Sequence, residues 1–260
     1  STQSRSSAAS DVYKRQLRDW VLEAECRYVA MESTGIYWQP IYEMLEPCFD
    51  GQINILVVNA RHMKNVPGRK TDMRDAQWIA TLLRAGLLKG SFIPDKTFRE
   101  LRHLTRYRKS IVRDITAQKN RIDKFLQSSG FRFTAFLSDA FGASGRNIIR
   151  HLMEYGNISR EALDRCLKTQ TRKRIDEILI ALNGSLSEHQ RGFLRMIFGH
   201  LEALEQHRHT VEGAITKEIT KHEEALSLLC SIPGIDVTAA AAIIAEIGTD
   251  MSAFPDSQHI

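Results

Sequence analysis

No stretch of this 260-residue chain is apolar enough to cross a bilayer, because charged residues interrupt every hydrophobic run well short of the roughly 20 residues that a spanning helix needs. The N-terminal region also lacks the apolar core of a secretory signal. Cysteine is sparse and scattered, at Cys26, Cys48, Cys166 and Cys230. No CxxC pair occurs, which argues against a structural zinc site and leaves reduced thiols as the default. The histidines, His207 and His209 among them, have charged, helical neighbours and read as surface groups rather than metal ligands. What is present is 43% hydrophobic residues, enough for a core and too many for global disorder, in a length that suits one large domain or two ordinary ones. The net charge of +5 is compatible with nucleic acid without being diagnostic of it.

Periodicity organises the chain into an α/β part followed by a mostly α part. After a helical-looking LRDWVLEAE, the run Arg27–Met31 reads as a buried strand ending at Glu32. Tyr37–Leu45 reads as a helix with Pro40 near its start, and Asn54–Asn59 as a second strand. A basic loop with a Pro-Gly turn spans Ala60–Lys70, and Thr71 is placed to cap a helix running through DMRDAQWIATLLRAGLL. Long helices are predicted from Thr97 to about Ser128 and from about Ser187 to Leu229, able to pair as an antiparallel or an intermolecular coiled coil, although strict heptads are not clean. Near the end, Pro233-Gly234 turns the chain into an Ala-rich helix.

The first residues stand apart. Ser6–Gln16, SSAASDVYKRQ, has no apolar period and resembles the conceptual translation of a DNA-sequencing library adaptor, so residues 1–16 are expected to be an artefact, with native sequence from about Leu17. This segment holds Arg5, Lys14 and Arg15 against Asp11, a net +2 that leaves only +3 for the rest.

The acids carry the chemistry. Asp72 and Asp75, at i and i+3 of a helix start, face the same way, and Glu32 sits where a strand opens into a loop. Such hard oxygen donors suit Mg²⁺ or Mn²⁺, and paired divalent ions serve phosphodiester transfer. Acids in a first helical turn also favour the macrodipole with no further role.

The blocks MESTGIYW, VVNARHMKNVPGRKTDMRDAQWIATLLRAGLL, LRHLTRYR and QKNRIDKFL resemble the DEDD transposases of bacterial insertion sequences, in particular the insertion-sequence one-hundred-and-ten family of RNA-guided bridge recombinases. The resemblance covers Leu17–Ile260, and its GRKTDxxDA block is its most specific part. It implies a partial RuvC-like, ribonuclease-H-type domain over residues 17–96, a helical coiled-coil region over 97–228 and the start of a C-terminal transposase domain over 229–260. Glu32, Asp72 and Asp75 match three of the family's four metal-binding acids. The first aspartate has no match; Asp11 mimics it by accident within the adaptor-like segment. The family's serine nucleophile has no match either, so these residues by themselves are expected to be inactive, as an incomplete sheet of low stability. The resemblance further implies DNA and a guide RNA as partners, Mg²⁺ or Mn²⁺ as cofactor, a homo-oligomer through the coiled coil, and a bacterial cytoplasmic, nucleoid-associated location.

Candidate phosphate contacts are Arg61, Lys64, Arg69 and Lys70 in the basic loop, which is otherwise simply a solvated loop. The helix Arg99–Lys124 has nine cations against three acids, and Arg102, Arg106, Arg108, Lys109, Arg113, Lys119 and Arg121 are assigned to nucleic acid. Tyr107 either stacks on a base or packs in the coiled coil. Pro233 and Gly234 resemble a helix-hairpin-helix turn whose amides bind phosphate, with a plain packing turn equally open. A RuvC-like junction nuclease and a non-catalytic nucleic-acid-binding coiled coil are the alternatives.

Overall fold

The computed structural model describes residues 2–49, 53–59, 72–254 and 256, with side chains described from residue 12 onward except those of 48, 49 and 72–74. The chain divides into two compact units, residues 1–94 with 252–260, and residues 95–251.

In the first unit, α1 (Thr2–Glu23) precedes β1 (Tyr28–Glu32), α2 (Gln39–Phe49), β2 (Asn54–Val58) and α3 (Asp72–Arg84). The helix α1 runs straight through the adaptor-like residues. Its span contains neither glycine nor proline, so nothing in the backbone interrupts it. Its later half is held by packing: Val21 is buried with Leu45 of α2, and Leu17, Ile41 and Met44 close around them. The strands β1 and β2 pair in parallel, from Tyr28 opposite Asn54 to Glu32 opposite Val58. Their joining through α2 is the helical crossover that a parallel pair requires. Proline at the second position of α2 is tolerated because the first helical amides have no intrahelical acceptor. Instead of continuing through Leu88, as its apolar pattern suggests, α3 ends at Arg84. Gly86 has φ +68, its N–H meets the Leu83 carbonyl and the Leu87 N–H meets that of Leu82, the paired bonds of a left-handed helix stop.

The second unit is helical. Its frame is α4 (Lys96–Ser128), followed by the short helices α5 (Ala143–Tyr155), α6 (Arg160–Cys166), α7 (Thr169–Arg172) and α8 (Ile175–Ala181), and then α9 (Glu188–Ile219), α10 (Glu223–Cys230) and α11 (Val237–Ile247). The long helices α4 and α9 lie antiparallel: Phe98 meets His222 just past the end of α9, Tyr107 meets His207, Gln118 meets Ile197 and Phe125 meets Phe193. The pairing is thus within one chain. Ile111, Ile115, Gln118 and Ile122 form a buried seam at alternating four- and three-residue steps, facing Leu194, Ile197, Phe198 and Leu201. A capping box starts α9, with Ser187 Oγ accepting from the Gln190 amide at 3.2 Å and Gln190 Oε1 accepting from the Ser187 amide at 2.9 Å.

The predicted helix from Ser187 to Leu229 is two helices. After Ile219 a 3₁₀ turn, Thr220–His222, redirects the chain, and Glu223 and Glu224 begin α10 with acids that suit a new N-terminus. No glycine or proline marks this corner. Buried Ala240, Ala241, Ile244 and Ala245 pack α11 closely beside α4. At the start of α5, Gly145 is required by contact: a Cβ there would lie 1.9 Å from the Ala140 carbonyl oxygen.

Candidate active site and nucleic-acid interface

Glu32 is the last residue of β1, half-buried, with Thr34 Oγ1 donating to its Oε1. The Ser33 N–H extends the strand ladder by donating to the Val58 carbonyl at 2.9 Å, which fixes the chain direction immediately after Glu32. The helix α3 packs against β1. Asp72 is its first residue and Asp75 lies one turn further, half-buried. The fold therefore brings the strand end and the acidic helix start onto neighbouring elements of one unit. The Asp72 side chain and the basic-loop residues Arg61, Lys64, Arg69 and Lys70 lie outside the described residues, as does Thr71. Among the described residues no three His, Cys, Asp or Glu side chains form a metal-sized group. The donor set itself, carboxylates only, fits a hard divalent cation.

The basic face of α4 is partitioned by its partners. Arg106 reaches Glu246 through two bonds of 2.8 Å. Arg102 lies 3.0 Å from the same carboxylate and also donates to the Ala245 and Glu246 carbonyls at 3.2 and 2.7 Å, satisfying the end of α11. Arg108 pairs with Glu212 at 2.8 Å, and Lys119 lies 4.0 Å from Glu205 and over the Phe141 ring. Arg121 donates to the side chain of buried Gln118. Lys109 and Arg113 are exposed and make no ion pair with a described residue. Tyr107 hydrogen-bonds His207 at 2.8 Å across the hairpin, in an edge-to-face contact. Burial pushes the Glu246 carboxyl up, but the Arg106 hydrogen bond and the charges of Arg102, Arg106 and Lys109 outweigh it, holding the group below its ordinary value.

At the Pro233-Gly234 turn the Ile235 N–H donates to the Ile232 carbonyl at 3.1 Å, and Gly234 adopts φ +90. Proline followed by a left-handed residue is a type II turn, for which glycine is the suited residue. The turn is exposed. Asp236 caps α11, its Oδ1 accepting from the Ala239 amide at 2.7 Å, so part of that helix's anion-attracting end is already satisfied internally. The partners that decide this surface, Glu205, Glu212 and Glu246, were not foreseen. Counting charge along one helix cannot register acids supplied by another.

A family model for DEDD transposases of the IS110 type, described as Transposase, matches residues 3–130, and one described as Transposase IS116/IS110/IS902 family matches residues 226–260. The chain belongs to the IS110 family of transposases. The first match spans Glu32, Asp72, Asp75 and all of α4; the second spans the Pro233-Gly234 turn and α11. Membership makes this a DNA-acting enzyme family, with transposition and DNA recombination as its chemistry and DNA as partner. No curated protein matches the chain at a significant level. No helix among the described residues is long and apolar enough to cross a membrane.

Proposed function

We propose that the chain serves RNA-guided, metal-assisted DNA strand transfer, with Glu32, Asp72 and Asp75 as three ligands of a Mg²⁺ or Mn²⁺ site in a RuvC-like domain. The observation that carries this reading is the location of Glu32 at the end of β1, beside the packed helix that Asp72 opens. When bound, such an ion supplies charge stabilisation at the phosphate undergoing exchange. In the reaction that the family resemblance implies, a serine oxygen attacks the phosphodiester, forming a new P–O bond as the bond to a deoxyribose oxygen breaks. Exposed Lys109 and Arg113 and the basic loop hold phosphate backbones; a homo-oligomer and a location at the bacterial nucleoid complete the proposal.

The test is divalent-ion binding measured by Mn²⁺ paramagnetic resonance and calorimetry on the intact chain. Glu32→Gln and Asp75→Asn are each expected to weaken binding at least tenfold, with circular dichroism unchanged. Equal affinity in all three proteins would overturn the metal assignment.

A further inference from the structure

Away from these acids, a groove of roughly 650 Å³ opens between α5 and α6, within the size range of about 300–1,000 Å³ usual for ligand sites. One wall is a stripe of α5: Asn147, His151 and Tyr155 follow at four-residue spacing and so share a face. The His151 and Tyr155 rings lie 4.6 Å apart, tilted by 38°, and Tyr155 is 59% exposed, so its ring is open to solvent. Arg165 of α6 is exposed on the opposite wall and makes no ion pair with a described residue. Asn157 lies at the turn between the two helices. The walls are held from behind: Ile148, Ile149 and Leu152 of α5 and Leu163 of α6 are fully buried, and Asn147 Nδ2 donates to the Cys166 carbonyl at 3.3 Å, tying one helix to the other.

The chemistry narrows the ligand. Burial pushes the His151 imidazole down, with Arg165 adding to the effect against Glu154, so the ring is neutral at physiological pH and presents a flat face rather than a charge. Glu154 also lines the groove, which disfavours an anion deep inside it. A ligand that suits the groove therefore has a flat uncharged face for the rings, an edge with both donors and acceptors for the asparagine amides and Glu154, and one anionic group at the rim for Arg165. An unpaired nucleotide has all three; a base inside a duplex has its face and edge already occupied.

We propose that the groove between α5 and α6 binds one unpaired nucleotide of a single strand, its base against Tyr155 and His151 and its phosphate toward Arg165. This rests on the reading that the chain acts on nucleic acid and adds a site for a strand that is not base-paired. The experiment is fluorescence anisotropy of the intact chain with labelled oligouridylate, oligothymidylate and a blunt DNA duplex. It is combined with photocrosslinking by 4-thiouridine- and 4-thiothymidine-bearing strands and mass spectrometry of the crosslinked peptide. Tyr155→Ala is expected to weaken single-strand binding about tenfold. Tyr155→Phe should retain it, the duplex affinity should be unchanged, and the crosslink should fall within residues 147–166. Preference for the ribo- or deoxyribo-strand identifies which strand the site serves. Wild-type binding that is insensitive to Tyr155→Ala, or a loss that is equal on the duplex, overturns this site while leaving the family reading intact. A wild-type chain that binds no nucleic acid at all overturns both.

Discussion

Arg106 and Glu246, 140 positions apart in the chain, meet in a two-point ion pair with both N···O distances at 2.8 Å. Arg102 joins the same carboxylate from one turn away on α4. Together they dock the end of the Ala-rich helix on the long hairpin. An exposed pair contributes only about 0.2–1 kcal/mol, and two-point geometry within a network places this one at the upper end. Glu246→Gln should lower the melting temperature by roughly 1–4 °C and raise amide exchange within residues 237–247, measured by mass spectrometry. Unchanged exchange would mean that packing alone holds α11.

The same carboxyl sets a pH dependence. Its folded value lies below the ordinary 4.5, so its contribution is present above that value and is lost as pH falls through the lower folded one. Acid titration of amide exchange should therefore loosen α11 in the wild type. In Glu246→Gln this transition should be missing.

The seam of the hairpin tolerates little. Ile122 is fully buried, and Ile122→Ala should cost about 2–5 kcal/mol in urea unfolding. Ile122→Val, which removes one methyl group, should cost about 0.5–1.5 kcal/mol and serves as the folded control.

At the start of α5, Gly145→Ala should destabilise the chain by about 1–3 kcal/mol or more, because the added carbon collides with the Ala140 backbone. Gly192, at the fifth position of α9, has open space at its Cβ position, and alanine there should stabilise by about 0.4–1 kcal/mol. Opposite signs for two glycine-to-alanine changes in one unit make the pair a sensitive check in thermal denaturation.

Cations on α4 should divide into two classes. Lys109→Gln and Arg113→Gln, both exposed, should each reduce the salt slope of nucleic-acid binding by about one unit. Arg108→Gln should leave the slope nearly unchanged and lower stability instead, since its partner is Glu212. Identical slopes for all three variants would remove the distinction.

Much was legible in the linear chain. The two strands, the long helix from residue 96 to 128 and the Ala-rich helix after Pro233-Gly234 fall within a residue or two of their expected places, because apolar period and turn residues are local properties. The end of α3 was misplaced although Gly86 stands there, since a glycine inside an apolar period does not announce whether it will adopt a left-handed backbone. The corner at Thr220–His222 was illegible for a different reason: it lacks any breaker, and beyond it α10 packs on α11, which in turn packs on α4, contacts between elements that no local pattern records.

By itself the sequence determined the family, through motif residues whose spacing survives without any structure, and it determined the α/β-then-helical order, through periodicity. Only the tertiary structure decided that the two long helices pair antiparallel within one chain, that Tyr107 meets His207, and that Arg102, Arg106 and Arg108 face acids of other helices while Lys109 and Arg113 face solvent. The physical reason is that a charge is defined by its surroundings. The amino-acid order states which residues are cationic, and packing alone states which of them are already neutralised.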